Sequence, residues 1–182
     1  MSAPLAMAVI DLRNYVAQET LEDGTAVTVR AIRREDQDAL RAVFENLDEE
    51  SFYRRFLGPK KELTETDLAQ FTDLDFAHVV GLVVMMQTRD GETLIAGGRF
   101  AENPASPGTA ELAFTTDKRY RGRGLANLIL RHLARIAREL GISRFEGDVL
   151  ADNQPMLAVL RGSGLPLRQD KEANVIHVTL SL

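Results

Sequence analysis

The sequence predicts an α+β fold built on a mixed, mostly antiparallel sheet. Three strand patterns follow one another between residues 78 and 117 with short turns between them, which is typical of antiparallel pairing. A glycine-rich turn, an amphipathic helix pattern and another strand pattern come next, as in a single β-α-β crossover. A strand and three short helices precede them, so the predicted order is β-α-α-α-β-β-β-α-β-α-β.

The chain begins with weak patterning. We expect residues 1–25 to form an N-terminal arm or extension, and residues 26–182 to form one domain large enough to bury its own core. Residues 26–33 alternate apolar and polar side chains, which predicts the first strand. Apolar residues at helical spacing then predict the first helix: Leu40, Val43, Phe44 and Leu47.

Two further short helices are predicted from their capping residues. Asp48 is the expected N-cap of the second helix, and the Gly58-Pro59 pair is expected to end it. Thr64 and Asp67 have the spacing of a capping box, which places the start of the third helix there.

The centre of the chain is predicted to be a three-stranded meander. Residues 78–89 form a long apolar run rich in β-branched side chains, which indicates a buried strand. The Asp90-Gly91 pair predicts a two-residue hairpin turn, so residues 92–103 return as an antiparallel strand. Residues 109–117 follow as the third.

The last third of the chain alternates helices and strands. We expect Gly141 to end the long helix, and we expect strands over residues 143–150 and 174–182. Between these strands, a helix carries Pro155 in its first turn. The long helix is predicted from one apolar stripe: Leu125, Leu128, Ile129, Leu133, Ile136 and Leu140.

Composition excludes several kinds of function. The chain has no cysteine, which rules out disulfides, thiolate nucleophiles and cysteine-bound metals. A net charge of −5 speaks against a general nucleic-acid binder. We find no metal-ligand spacing, and we expect His78, His132 and His177 to be ordinary surface or hydrogen-bonded residues. The first ten residues suit neither a signal peptide nor a membrane span, so we expect a cytoplasmic protein.

The stretch RYRGRGLA, residues 119–126, places three arginines and two glycines at the predicted start of the long helix. The first N–H groups of a helix lack internal partners, and the helix dipole adds positive charge there. Glycines let a ligand approach the backbone closely, and one arginine can donate two parallel hydrogen bonds to a phosphate group. The stretch therefore predicts a phosphate site, although a plain strand-to-helix turn with solvated arginines also fits.

Two better-known phosphate motifs do not fit. A P-loop requires a Gly-Lys-Ser/Thr sequence, which is absent after the turn. A dinucleotide fingerprint requires a third glycine where this chain has Asn127, and it requires parallel β-α-β repeats rather than hairpins. A nucleotide-binding module stays an alternative.

The same residues resemble a known superfamily. RYRGRGLA matches Arg/Gln-x-x-Gly-x-Gly/Ala, the signature of the GNAT acetyltransferases. The preceding AELAFTTD and the following VLADNQPMLAVLRGSGL resemble the strand before that signature and the strand and helix after it. AELAF and ADNQPML are more specifically similar to the catalytic domain of bacterial Pat-type protein lysine acetyltransferases. The resemblance covers about residues 26–182 and implies an α/β/α sandwich with a splayed pair of strands at the acyl-CoA site.

The resemblance also implies a ligand and its contacts. The donor would be acetyl-CoA or another acyl-CoA, and no metal is implied. Its pantetheine would run along Phe114, Thr115 and Thr116, where two strands splay. Asn153 lies where the family often touches the cofactor, and it is equally a helix N-cap. The pyrophosphate would meet the signature turn: Arg119, Arg121, Gly122, Arg123, Gly124, Leu125 and Ala126.

The implied reaction is direct acyl transfer to an amine. Glu111 matches the Pat-type glutamate in position and is the candidate general base, with burial beside the cleft expected to tune it for this role. Many GNAT enzymes carry a tyrosine as general acid where this chain has Leu160. The protein is therefore expected to be an N-acetyltransferase, with protein lysine favoured over small amines as acceptor. A non-catalytic acyl-CoA-binding regulatory module is the alternative, and the oligomeric state is not predicted.

Overall fold

The computed structural model describes residues 11–58, 60 and 62–182. Its strands are β1 (Val16–Thr20), β2 (Ala26–Ala31), β3 (Val79–Thr88), β4 (Gly91–Glu102), β5 (Thr109–Thr116), β6 (Arg144–Leu150), β7 (Leu167–Glu172) and β8 (Val175–Ser181). Its helices are α1 (Gln37–Glu45), α2 (Glu49–Phe56), α3 (Glu65–Thr72), α4 (Leu125–Glu139) and α5 (Gln154–Arg161).

The strands of this part of the chain form one sheet in the order β1-β2-β3-β4-β5-β6-β8-β7. Neighbouring strands are antiparallel except β5 and β6, which are parallel. Helix α4 is the crossover that connects these two strands. The predicted α+β class with a mixed, mostly antiparallel sheet is therefore confirmed.

Two strands were not predicted. β1 lies within the segment expected to be an arm, and it pairs with β2 from Val16 with Arg30 to Thr20 with Ala26. The sheet thus extends across the predicted boundary at residues 25 and 26, while residues 1–10 lie outside the described part of the chain. β7 is the other edge strand. Both edges expose most of their side chains, so they lack the apolar periodicity on which strand prediction depends.

Capping side chains start α2 and α3 as predicted. Asp48 accepts a hydrogen bond from the Ser51 amide at 2.8 Å, and Thr64 and Asp67 form a reciprocal capping box. α2 ends at Phe56 rather than at Gly58, because Leu57 takes a left-handed conformation with φ of 52°. Pro59, the second residue of the predicted stop, lies outside the described residues.

The predicted hairpin forms with a one-residue difference in its turn. Thr88 pairs with Gly91, so the turn residues are Arg89 and Asp90. Gly91 is the first residue of β4 and takes a φ of 105°, which favours glycine.

Helices cover the two faces of the sheet. On one face, a side chain at Gly98 of β4 would collide with Ile129 of α4, so that helix packs directly on the strand. On the other face, Arg99 lies over Phe71 of α3. The apolar stripe of α4 is buried as predicted, except Leu140, which follows the last helical residue and is 38% exposed. None of the described helices is long and apolar enough to cross a membrane.

Candidate active site

The glycine-rich turn begins a helix, as predicted. Gly124 is the N-cap of α4, with a φ of 78° and no side-chain cap. Gly122 is also left-handed, with a φ of 72°, and a side chain at either glycine would meet no other atom within 4 Å. The turn therefore leaves one side open, and the first amides of α4 are available there to an anion.

The arginines of this turn have acidic partners in the folded chain. Arg119 lies 2.7 Å from Asp117, and Arg123 lies 2.7 Å from Asp23. Arg121 lies 3.6 Å from Asp48. The cationic cluster seen in the sequence is thus largely compensated.

These ion pairs also connect the turn to distant segments. Hydrogen bonds from Thr25, and then from Arg123, hold the pKa of Asp23 at about 2. Arg123 therefore fastens the turn to the β1–β2 hairpin. The side chains of Arg119 and Arg121 are 57% and 43% exposed. Asp48, the partner of Arg121, is exposed as well, and exposed ion pairs contribute at most about 1 kcal/mol, so Arg121 can turn to a phosphate group at low cost. Asp117 is fully buried, so Arg119 is held more firmly by its partner.

Strands β5 and β6 splay apart next to the turn. They pair over three residues, from Thr109 with Arg144 to Glu111 with Glu146. Both strands then continue without pairing to each other, β5 to Thr116 and β6 to Leu150. One backbone edge of β5 beyond Glu111, including Phe114, Thr115 and Thr116, therefore borders the opening between the strands.

Glu111 lies where the splay begins. Side chains alternate along a strand, so Glu111, Ala113 and Thr115 share the face of β5 that is covered by α2 and α3. Glu111 is exposed, so the expected burial of this residue is wrong. Burial was expected from a position beside the cleft, but β5 ends its pairing with β6 at this residue.

Three other residues near the predicted site lie in different surroundings. Asn153 is the N-cap of α5, with its side-chain oxygen accepting from the Met156 amide at 3.3 Å, and a contact with a cofactor stays a prediction. Leu160 is buried in the core at 3% exposure. Tyr53 of α2 is 44% exposed.

Two cavities lie beside α2. One, of about 260 Å³, lies between Tyr53 and Arg54 of α2 and Asp152 after β6. The other, of about 790 Å³, lies between α1, α2 and the segment around Leu63. The larger cavity has an apolar floor and charged residues of both signs, including Phe44, Phe52, Glu45, Glu62, Arg41 and Lys60.

Three charged residues at the site were not singled out from the sequence. Glu146 lies beside Glu111 in the parallel register, and its carboxylate accepts from Asn103 at 3.4 Å. Arg55 of α2 donates to the Thr115 hydroxyl at 3.2 Å, and Arg99 of β4 lies across from Ala113. A sequence signal existed for Arg99, because it is a charged residue inside an apolar strand.

Metal-binding geometry is not found near these residues. Among residues 11–58, 60 and 62–182, no group of three or more His, Asp or Glu side chains has an arrangement that could hold a metal ion.

Known proteins are similar to this chain in sequence and in fold. The model of the Acetyltransferase (GNAT) family matches residues 34–165. The acetyltransferase PA5475 of Pseudomonas aeruginosa is 30% identical over 175 residues, which are 94% of this chain and 92% of that protein. The acetyltransferase Pat of Mycolicibacterium smegmatis is 34% identical over 112 residues, which are 61% of this chain and 32% of that protein. The crystal structure of the GNAT domain of S. lividans PAT has a TM-score of 0.82 at 33% identity, covering 92% of this chain and 97% of that one.

Proposed function

Since the chain belongs to the GNAT acetyltransferase family, we propose that it transfers an acetyl group from acetyl-CoA to a primary amine, with protein lysine as the favoured acceptor. The observation that carries the proposal is the splay of β5 and β6 at Glu111, next to the open N-terminus of α4. The resemblance of AELAF and ADNQPML to Pat-type protein lysine acetyltransferases favours lysine. A cytoplasmic location stays a prediction.

The donor would lie across two neighbouring features. Its pyrophosphate would meet the amides from Arg121 to Ala126, where the left-handed glycines leave the backbone open. Its pantetheine would extend along the free edge of β5 at Phe114, Thr115 and Thr116, where backbone groups lack a partner strand.

The thioester would then lie near the start of the splay. A backbone N–H at Phe114 or a neighbouring residue would polarise its carbonyl oxygen and stabilise the negative charge that develops on attack. Because the amide is fixed in the sheet by the β4–β5 pairing, this stabilisation needs little reorganisation.

Glu111 would act as the general base. An amine must be neutral to attack, so Glu111, directly or through a water molecule, would take its proton. The nitrogen then bonds to the carbonyl carbon, the carbon–sulfur bond breaks, and its electron pair leaves with CoA as a thiolate. The amine nitrogen loses a second proton as the amide forms, and because Leu160 offers no hydroxyl to protonate the thiolate, that proton would reach the thiolate through water.

The experiment that tests this mechanism compares Glu111→Gln with Glu92→Gln. Glu92 is a matched control because it is exposed like Glu111 and lies near the start of β4, whereas Glu111 lies across from Ala101 near the end of β4. We expect Glu111→Gln to lower kcat about 100-fold or more while acetyl-CoA affinity is unchanged, because general-base catalysis contributes about that much. Steady-state kinetics with lysine peptides and small amines, and calorimetric binding of acetyl-CoA, are the measurements. Unchanged turnover in Glu111→Gln would remove the base role.

One observation favours a second candidate function. The buried Leu160 at the place of the usual tyrosine is compatible with a regulatory module that binds acyl-CoA without turnover. The same assays separate the two functions, because such a module would bind acetyl-CoA and acetylate none of the peptides or amines.

A further inference from the structure

Two arginines converge beside Glu111 from different elements. Arg55 of α2 and Arg99 of β4 both lie over the ring of Phe71, at 5.5 Å and 5.3 Å from its centroid. Arg55 also donates from Nε to the Thr115 hydroxyl. A shared aromatic ring and a hydroxyl on β5 thus hold two positive charges close together.

The positive charges of this pair are poorly compensated within the protein. Among the described residues, no carboxylate forms an ion pair with either guanidinium. The pKa of Arg55 is lowered to about 10, by burial first and by the like charge of Arg99 second, while Glu111 acts in the opposite direction. Burial likewise lowers the pKa of Arg99. Both side chains stay positive at neutral pH.

Such an arrangement is costly unless an anion completes it. Desolvated like charges destabilise a fold, and contact with an aromatic ring offsets part of that cost. The planar fork of a guanidinium fits a carboxylate with two parallel hydrogen bonds. Both arginines remain partly exposed, so a ligand can reach them.

The pair lies on the acceptor side of the predicted reaction centre. Arg99 is directly across from Ala113, and Glu111 is two residues further along the same face of β5. The Cα atoms of diagonal neighbours in an antiparallel pair are about 7–8 Å apart. That distance suits a substrate with its reacting amine or carbonyl at Glu111 and a carboxylate a few bonds away.

We propose that Arg55 and Arg99 bind a carboxylate carried by one of the two reacting substrates. The carboxylate belongs either to the acceptor, beside its amine, or to the far end of a dicarboxylic acyl group on the donor. This inference rests on the proposed function, because it uses the same reaction centre.

The test measures binding to the full chain with matched probes. The donor arm compares succinyl-CoA with butyryl-CoA, which has the same number of acyl carbons and no terminal carboxylate. The acceptor arm compares lysine peptides flanked by glutamate or by glutamine, and free lysine with lysine amide, each with and without CoA. Wild type is compared with Arg99→Gln, and Arg138→Gln on the exposed face of α4 is the control.

We expect one arm to show about a tenfold or greater preference for the carboxylate probe in wild type, since hydrogen bonds between charged groups are among the strongest. Arg99→Gln should lose that preference, and Arg138→Gln should keep it. The arm that responds identifies the substrate carrying the carboxylate. Arg55→Gln removes the other guanidinium and serves as the second test if Arg99→Gln does not fold.

Two results overturn the inference: no carboxylate preference in either arm, or a preference that survives both Arg99→Gln and Arg55→Gln. Failure of the proposed function is seen separately, as absence of CoA binding or of acetyl transfer to any amine. The carboxylate preference is measured by binding, so it is judged whether or not transfer occurs.

Discussion

Gly124 provides a direct test of where the donor binds. It is the N-cap of α4, its φ is 78°, and a side chain there would point into open space. Gly124→Glu would place bulk and negative charge where the pyrophosphate is proposed to lie. The left-handed backbone costs a non-glycine residue about 1–2 kcal/mol. In a chain of this size, that cost lowers Tm by about 2–8 °C.

The effect on ligand binding is separate from this strain. A ligand at 100 times its Kd stabilises the native state by about 2.7 kcal/mol. Acetyl-CoA or CoA should therefore raise the Tm of wild type by about 5–10 °C. Gly124→Glu should abolish that rise, because both molecules carry the pyrophosphate.

Gly141 is the matched control at the other end of the same helix. Its φ is 80°, and a side chain there also meets nothing within 4 Å. Gly141→Glu should lower Tm by a similar amount and keep the full shift with acetyl-CoA. The assay is thermal unfolding of the three proteins with acetyl-CoA, CoA, NADH or ATP.

Two outcomes would refute the reasoning. If Gly124→Glu keeps the shift, the pyrophosphate does not bind at this turn. If wild type shifts with neither CoA species, the turn has a structural role alone and the proposed transferase loses its donor site. A shift with NADH or ATP instead would favour a nucleotide-binding module.

Two further predictions concern stability. Asp36→Asn should lower the free energy of unfolding by about 3–5 kcal/mol in urea denaturation, because it leaves the buried Arg30 without its two-point ion pair. Asp73→Asn, in the exposed pair with Arg34, should lower it by less than about 1 kcal/mol. Equal effects of the two substitutions would contradict this reasoning. Burial lowers the pKa of His132 below its ordinary 6.5. The neutral imidazole therefore contributes its full stabilisation above pH 6.5, and this contribution is lost as the pH falls through the lowered pKa of the folded state. Denaturation between pH 5 and 8 should show a weaker pH dependence for His132→Gln, and parallel profiles would argue against it.

Local patterns predicted most of the elements and the family. A cap depends on residues within three positions of one another, so Asp48 and the Thr64–Asp67 box were readable from the sequence. The resemblance of RYRGRGLA and its flanking segments to the GNAT superfamily and to Pat proteins is confirmed by the family model and the S. lividans structure. The edge strands β1 and β7 were missed because exposed strands carry no apolar alternation.

The charges at the site required the tertiary structure. Arg123 donates a hydrogen bond to Asp23, one hundred residues away in the chain, and Arg121 donates one to Ser51, seventy residues away. Their compensation could not be inferred from a cluster of like charges in sequence. The exposure of Glu111 was also missed, because it depends on where β5 and β6 stop pairing.

The sequence by itself determined the fold class, the family and the turn that begins α4, because each depends on residues that are close together in the chain. The tertiary structure decided which charges meet. Arg55 of a helix and Arg99 of a strand are more than forty residues apart in the chain, and both lie over Phe71 of a third element. Electrostatic energy depends on distance and burial in three dimensions, and neither quantity is encoded in the spacing of residues along the chain.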